Sequence, residues 1–239
     1  MGTGRLVFHR VEKSFPGGPP VLRGLSADIP LSGLTFVVGQ SGGGKSVLCK
    51  LAVGLLRPDA GTVALDGEDV PSLGRAALHA LRRRFPYVVQ GPALLDWLTA
   101  AQNVALADER ASPEQVQAAL EKADAGALSG LRPEALGPGA QKRVAMARAL
   151  LLGPRFLLLD EPTTGLDNRA ADAVNHVLTS LRDGGLGALV VSHDYRALRA
   201  AADRVLLVAA GTVAFQGPRD EFLASALPDV RGLLEHADG

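Results

Sequence analysis

The sequence predicts an α/β fold built on a mostly parallel sheet, and three observations carry that prediction. Short apolar, β-branched runs recur at residues 34–38, 156–159, 188–191 and 205–208, most of them followed by polar or turn residues. Between the first and second of these, a stretch from Trp97 to about Leu152 is rich in alanine and leucine and has helical texture. The chain has 239 residues, 47% of them hydrophobic, enough for one core with a subdomain but not for two ordinary domains.

Taken in order, Leu6-Val7-Phe8 and residues 25–29 read as strand pieces around a Gly/Pro turn at residues 16–20. Leu34-Thr35-Phe36-Val37-Val38 reads as a buried strand. A glycine-rich loop follows, and residues 47–56 suit a helix. Thr62-Val63-Ala64-Leu65 before Asp66-Gly67 reads as a hairpin. Tyr87-Val88-Val89 is a further short strand. The helical stretch is broken near Ser112-Pro113, Gly130 and Gly137-Pro138-Gly139, and the strand signals then return. No internal repeat or low-complexity linker interrupts the chain.

Composition excludes several function classes. Lys+Arg 25 against Asp+Glu 25 leaves no net charge, so no basic footprint argues for nucleic acid as a partner. Cys49, the single cysteine, excludes a disulfide framework and a Cys-rich zinc site. Residues 1–12 carry Arg5, His9 and Arg10 without a sustained apolar stretch, so they do not read as a secretory signal. No run approaches the ~20 apolar residues of a membrane span. The expectation is a soluble, cytosolic globular protein.

Gly39-Gln40-Ser41-Gly42-Gly43-Gly44-Lys45-Ser46 matches G-x-x-x-x-G-K-[ST] with a strand before it and a helix after it. Glycines let the backbone wrap closely, so that several N–H groups point at phosphate oxygens. The following helix adds its positive end. Lys45 is placed to neutralise β- and γ-phosphate charge, and the Ser46 hydroxyl to ligate Mg²⁺. The alternative is a glycine-rich turn that binds nothing. Phe156-Leu157-Leu158-Leu159-Asp160-Glu161 is a buried strand ending in two carboxylates. Asp160 is placed to hold the Mg²⁺ through water, and Glu161 to orient or deprotonate an attacking water. Alone, such an acidic pair reads as a surface feature; beside a phosphate loop it reads as chemistry.

In this order, residues 39–46, Gln90, residues 136–143, Asp160-Glu161-Pro162, Gly165-Leu166-Asp167 and His193 resemble the ATPase subunit of an ABC transporter, over about residues 6–217. The resemblance implies a P-loop NTPase fold, with a RecA-like, mostly parallel core, an N-terminal antiparallel β subdomain and a helical insertion. It divides a single domain into a core (1–90 and 153–217), a helical subdomain with the signature segment (91–152) and a C-terminal tail (218–239). It also implies that Phe15 stacks on adenine and that residues 39–46 with Val47 cradle ATP. Gln90 becomes the glutamine that senses Mg²⁺ and the permease, beside Glu161 and His193 as catalytic residues. Ser46, Gln90 and Asp160 become the metal-side residues. Leu136, Gly137 and Gly139 join the partner's nucleotide in a head-to-tail homodimer, and Asp167 crosses the dimer. The location implied is the cytoplasmic face of the inner membrane, against integral-membrane permease subunits.

Each residue outside the loop also has a plain structural reading: Phe15 as a partly buried aromatic, Gln90 as a strand cap, Asp167 as a helix N-cap, His193 as a strand-end histidine. His9, His79, His176 and His236 belong to no motif and read as surface or packing residues, and Cys49 as a small core residue.

The signature departs from the family pattern. Where relatives carry Leu-Ser-Gly-Gly-Gln, this chain has Leu136-Gly137-Pro138-Gly139-Ala140, aligned by Arg143-Val144-Ala145-Met146-Ala147-Arg148. Gly137 lacks the serine hydroxyl, and Pro138 lacks a backbone donor. A lost transition-state donor costs about 3 kcal/mol, or ~10²-fold in rate, if nothing replaces it. The helix expected from Ala140 still aims its positive end outward.

Subfamily features lie outside the loop. Val47 in Gly44-Lys45-Ser46-Val47 resembles the variant of MCE-type (mammalian-cell-entry) lipid transporters. So do Gln90-Gly91-Pro92-Ala93-Leu94-Leu95-Asp96-Trp97-Leu98-Thr99 and the ending Pro228-Asp229-Val230-Arg231-Gly232-Leu233-Leu234. The resemblance implies phospholipid transport, with an MCE-domain protein in the same system. An amino-acid or other small-solute importer is the alternative, and a weakly hydrolysing, ATP-binding regulatory subunit is another. The apolar Leu94, Leu95, Trp97 and Leu98 mark residues 90–103 as the expected permease groove, or else as packing.

Overall fold

The computed structural model describes residues 4–237; residues 1–3 of the N-terminal stretch and the side chain of His236 lie outside the described residues. β1 (Arg5–Lys13) and β2 (Leu22–Pro30) form an antiparallel pair around the turn at 16–20. β3 (Leu34–Val38) then leads through the glycine loop into α1 (Lys45–Ala52). β4 (Ala60–Leu65) and the two-residue β5 (Glu68–Asp69) make the hairpin and join the first sheet, whose order is β2-β1-β4-β5.

After α2 (Arg75–Arg84) and β6 (Tyr87–Val88) come three helices, α3 (Ala100–Ala105), α4 (Pro113–Lys122) and α5 (Pro138–Leu150). The chain then runs through β7 (Phe156–Asp160), α6 (Asn168–Asp183), β8 (Gly187–Val191), α7 (Tyr195–Ala201), β9 (Arg204–Ala209) and β10 (Thr212–Pro218). It closes on α8 (Arg219–Ala224) and α9 (Pro228–Ala237). The second sheet has the order β10-β9-β3-β8-β7-β6. Its neighbours pair in parallel except β10, which lies antiparallel on β9. The mostly parallel α/β core, the antiparallel N-terminal sheet and the inserted helices are those expected of a P-loop NTPase.

Successive residues of the central strands point to opposite faces, and both faces are covered. Leu34, Phe36, Val38, Leu157, Leu159, Val205 and Leu207 join one core, with residues of α3 to α6. Val37, Leu158, Leu189, Val191, Leu206 and Val208 join the other, with α1 and the antiparallel sheet. That is why these strands read as unbroken apolar runs. Cys49, in α1, is fully buried in the second core, and His9, His79 and His176 are exposed.

Several boundaries differ from expectation. The break at Ser112-Pro113 is a helix start: Ser112 caps α4 reciprocally with Gln115, and Pro113 takes the first-turn position. Thr99 and Gln102 do the same for α3. α1 begins at Lys45, directly after the loop, and stops at Ala52, short of the expected Leu56, with Gly54 in the left-handed region (φ 66) just beyond. α5 begins at Pro138 rather than Ala140, because proline's fixed φ suits the first position and its missing N–H has no intrahelical acceptor to lose. Among the described residues no helix is long and apolar enough to cross a membrane.

Candidate active site

β3 delivers the chain to the loop at Gly39, whose φ is +142; a Cβ there would lie 2.1 Å from the Val208 carbonyl oxygen, so only glycine passes. The loop ends at Gly44, which precedes α1 without a side-chain cap; the Val47 N–H turns back to Gly44 O at 3.0 Å, and the N–H groups at the very start of α1 face the loop where an anion can sit. Lys45 is buried, and its Nζ donates to the carbonyls of Gly39 and Gln40, each at 2.9 Å. Burial draws this ammonium below the usual lysine range, opposed by the charges of Glu161 and Asp160.

Asp160 stands at the end of β7, beneath the start of α1. Its Oδ1 accepts from Ser46 Oγ at 2.8 Å and its Oδ2 from Tyr87 Oη at 2.6 Å. Burial and then this bond push the Tyr87 phenol well above the ordinary tyrosine range. Glu161 is buried and left-handed (φ 50). Its Oε1 lies 2.8 Å from His193 Nε2, its Oε2 accepts from Thr164 Oγ1 at 2.7 Å, and its N–H donates to Val191 O at 2.8 Å. Burial, reinforced by the Glu161 charge, raises the nearby Tyr195 phenol to about 12.

These groups meet around a cavity of about 570 Å³, lined by Phe15, Val21, Ser41, Gly42, Gly44, Lys45, Ser46, Val47, Gln90, Glu161, Thr164 and His193. Phe15 is 39% exposed at its rim, with the Lys13 ammonium 5.8 Å from the ring centroid. Gly39 and Gln40 contribute the carbonyls that hold Lys45, and Asp160 sits behind Ser46. Gly43 lies within the loop, its N–H donating to Gln40 O at 3.1 Å.

The signature segment is elsewhere. Gly137, Pro138, Gly139 and Ala140 line a separate cleft of about 280 Å³ with Arg143, Asp167 and Arg169, and Leu136 is buried behind them. Gly139 packs so closely on α6 that a Cβ would lie 2.8 Å from Ala170 Cβ, whereas a Cβ on Gly137 would meet open space. Gln141 turns back, its Nε2 donating to the carbonyls of Pro133 and Leu136 at 3.0 Å each. Asp167 caps α6 by accepting from Ala170 N–H at 2.8 Å. One chain therefore gathers the loop, the acidic pair, Gln90, Phe15 and His193, but not Leu136, Gly137, Gly139 or Asp167.

Three residues that hold the site's groups in place were not read from the sequence. Thr164 holds Glu161, and Tyr87 holds Asp160. Lys142 is buried on α5, and its Nζ donates to the carbonyls of Gln90 and, at 3.2 Å, Glu161. Burial lowers its pKa against the pull of Asp160 and Glu161. The available signal for Lys142 was its place in a helix whose next residues but one, 144–147, are apolar or small, since a buried lysine requires partners.

The donors fit Mg²⁺. Ser46 and Asp160 offer adjacent hard oxygens. That is the pattern for an ion that completes its shell with water and phosphate oxygens.

A family model described as ABC transporter matches residues 22–164. The methionine import ATP-binding protein MetN of Caulobacter vibrioides is 37% identical, over 98% of this chain and 73% of its own length. The lipoprotein-releasing system ATP-binding protein LolD of Cereibacter sphaeroides is 39% identical, over 87% of this chain and 98% of its own. A solved dimeric ATP-binding cassette in a post-hydrolysis state, bound to ADP and Pi, superposes with a TM-score of 0.80 at 26% identity, covering 90% of this chain and 98% of that one.

Proposed function

The chain belongs to the ABC transporter family as an ATP-hydrolysing subunit, and from that premise we propose that Glu161 is the general base acting on Mg-ATP held by residues 39–46. The observation that carries this reading is the Glu161 carboxylate, anchored through both oxygens on the wall of the cavity that Lys45 and Ser46 also line. Phosphates lie on the loop N–H groups and the start of α1, and Lys45 turns from the Gly39 and Gln40 carbonyls to the β- and γ-oxygens. Phe15 offers its ring to adenine. Glu161 takes the proton of the attacking water while His193 orients the carboxylate and meets the γ-phosphate. Ser46 and Asp160, with Gln90 lining the same cavity, would hold Mg²⁺, which would supply neutralisation of the phosphate charge. Glu161→Gln is expected to bind ATP normally, lose ~10²–10⁴ in turnover and accumulate as an ATP-bound dimer; near-parent turnover removes Glu161 from this role.

ABC ATPase domains dimerise and work with membrane permeases. We infer a head-to-tail homodimer in which residues 136–140 and Asp167 complete the partner's site, since they open on a different cleft from their own chain's phosphate loop. The permease is assigned to residues 90–103, at the cytoplasmic face of the membrane. Trp97 is 69% exposed there and buries little of its own surface. Trp97→Ala is expected to lower the ratio of permease-stimulated to basal turnover, and an unchanged ratio removes Trp97 from the docking surface.

For the cargo, Val47 and the segments after Gln90 and Pro228 support phospholipid, moved with an MCE-type partner. The likeness to a protein named for methionine import supports small-solute import as the second reading. ATPase stimulation of the subunit reconstituted with its co-purifying permease separates them: phospholipid vesicles stimulate under the first reading, free amino acids under the second.

A further inference from the structure

We propose that Lys142 is a positioning residue, whose buried ammonium ties α5 to the backbones of Gln90 and Glu161 and so holds the general base in place. The inference rests on Glu161 being that base. Glu161 is a non-glycine residue in the left-handed region (φ 50), a conformation that persists only where its surroundings hold it. Its N–H is held by Val191 O, and its carbonyl accepts from Thr164 N–H at 3.3 Å and from Lys142 Nζ at 3.2 Å. Of these, only Lys142 comes from the inserted helices.

The same ammonium donates to the carbonyl of Gln90, and Arg148, further along α5, donates to Ala93 O at 2.7 Å and Pro92 O at 3.3 Å. The loop that begins at Gln90 is thus held on α5 at two points, one of which it shares with Glu161. A displacement of this loop or of α5 reaches the catalytic carboxylate through a single charged group. A neutral side chain of similar length fills the space without joining the two carbonyls, and leaves the buried Glu161 carbonyl and the part-buried Gln90 carbonyl each short of a partner.

The test compares the parent with Lys142→Met, Lys142→Arg and Glu161→Gln, reading kcat, KM, ATP affinity without Mg²⁺, and amide hydrogen exchange. Lys142→Met is expected to lower kcat tenfold to a hundredfold, roughly the equivalent of one hydrogen bond from a charged donor. ATP affinity should stay within about twofold, because Lys142 lies outside the nucleotide cavity. Exchange should quicken at residues 90–93 and 161–164, and Lys142→Arg should recover most of the turnover. Should Lys142→Met not fold, Lys142→Gln, which keeps a donor but no charge, is judged by the same criteria. Parent-like kcat in the uncharged variant, loss of ATP binding along with kcat, or faster exchange confined to α5 overturns the proposal. If Glu161→Gln itself turns over normally, the base assignment falls first, and the result identifies that cause.

Discussion

Among the helices that begin at a glycine providing no side-chain cap are α1, at Gly44, and α5, at Gly137. Neither has a side chain capping its first-turn N–H groups and both carry a positive helix end, so both are suited to an anion. Their surroundings differ. Lys45 and Ser46 follow Gly44 directly, and Asp160, Glu161 and His193 reach the same region from the ends of β7 and β8. At the start of α5 stand Pro138, Gly139 and Ala140, which offer no polar side chain. Of the charges nearby, Arg143 pairs with Asp124 and Asp167 accepts from the Ala170 N–H, while Arg169 also lines the cleft. Pro138 even removes one backbone donor. A helix end supplies partial charge, but the proton-handling groups and the metal-facing carboxylate come from neighbouring strand ends, and of the two only α1 has them.

Restoring side-chain chemistry to the poorer end tests this contrast most strongly. Gly137→Ser combined with Pro138→Gly should raise basal turnover by up to ~10²-fold, the scale of one oxyanion donor. Gly137 has open space for the new side chain and a φ of −64 that serine adopts readily. Gln141, folded back on Pro133 and Leu136, does not fill the place already. Steady-state ATPase of the isolated chain decides it, and a double variant no faster than the parent means the bare segment does not limit the rate.

A smaller effect is expected at the richer end. Tyr87→Phe removes the donor to Asp160 Oδ2 and leaves that oxygen free to turn. Loss of such an outer contact typically weakens metal affinity by about tenfold or more. A Mg²⁺ titration of nucleotide binding should show that loss, with Mg²⁺-free ATP affinity unchanged. An unaltered Mg²⁺ midpoint makes the phenol a packing group.

The smallest change concerns Asp167. Asp167→Ala should cost about 1 kcal/mol through the lost cap of α6, a fall of roughly 2–4 °C in melting temperature for a chain of this size. Asp167→Asn keeps the cap and removes the charge, so its melting temperature should match the parent while ATP-driven dimerisation weakens. If asparagine also dimerises normally, capping is the whole role of Asp167.

Legibility in the sequence followed the range of the interaction. The loop at residues 39–46 and the strand ending in Asp160-Glu161 are contiguous patterns and stand where expected. α2 and β10 were not read. In α2 only Leu81 is buried, with three consecutive arginines after it, and β10 is half-buried along most of its length, so neither shows a clean apolar period. Trp97 was open between packing and docking, and only its exposure argues against packing.

The sequence by itself determined the local devices. Glycines at a strand end, a lysine and serine opening a helix, and carboxylates closing a strand need only neighbouring residues to define their geometry. The tertiary structure alone decided which of these devices meet. Ser46 reaches Asp160 across 114 residues, Tyr87 reaches it across 73, and Lys142 reaches Gln90 across 52. Those meetings depend on β3 and β7 flanking β8, on β6 pairing with β7 and on α5 packing against β6. Strand order and helix packing are set by burial of the whole core, which is non-directional and leaves no short-range mark on the residues it brings together.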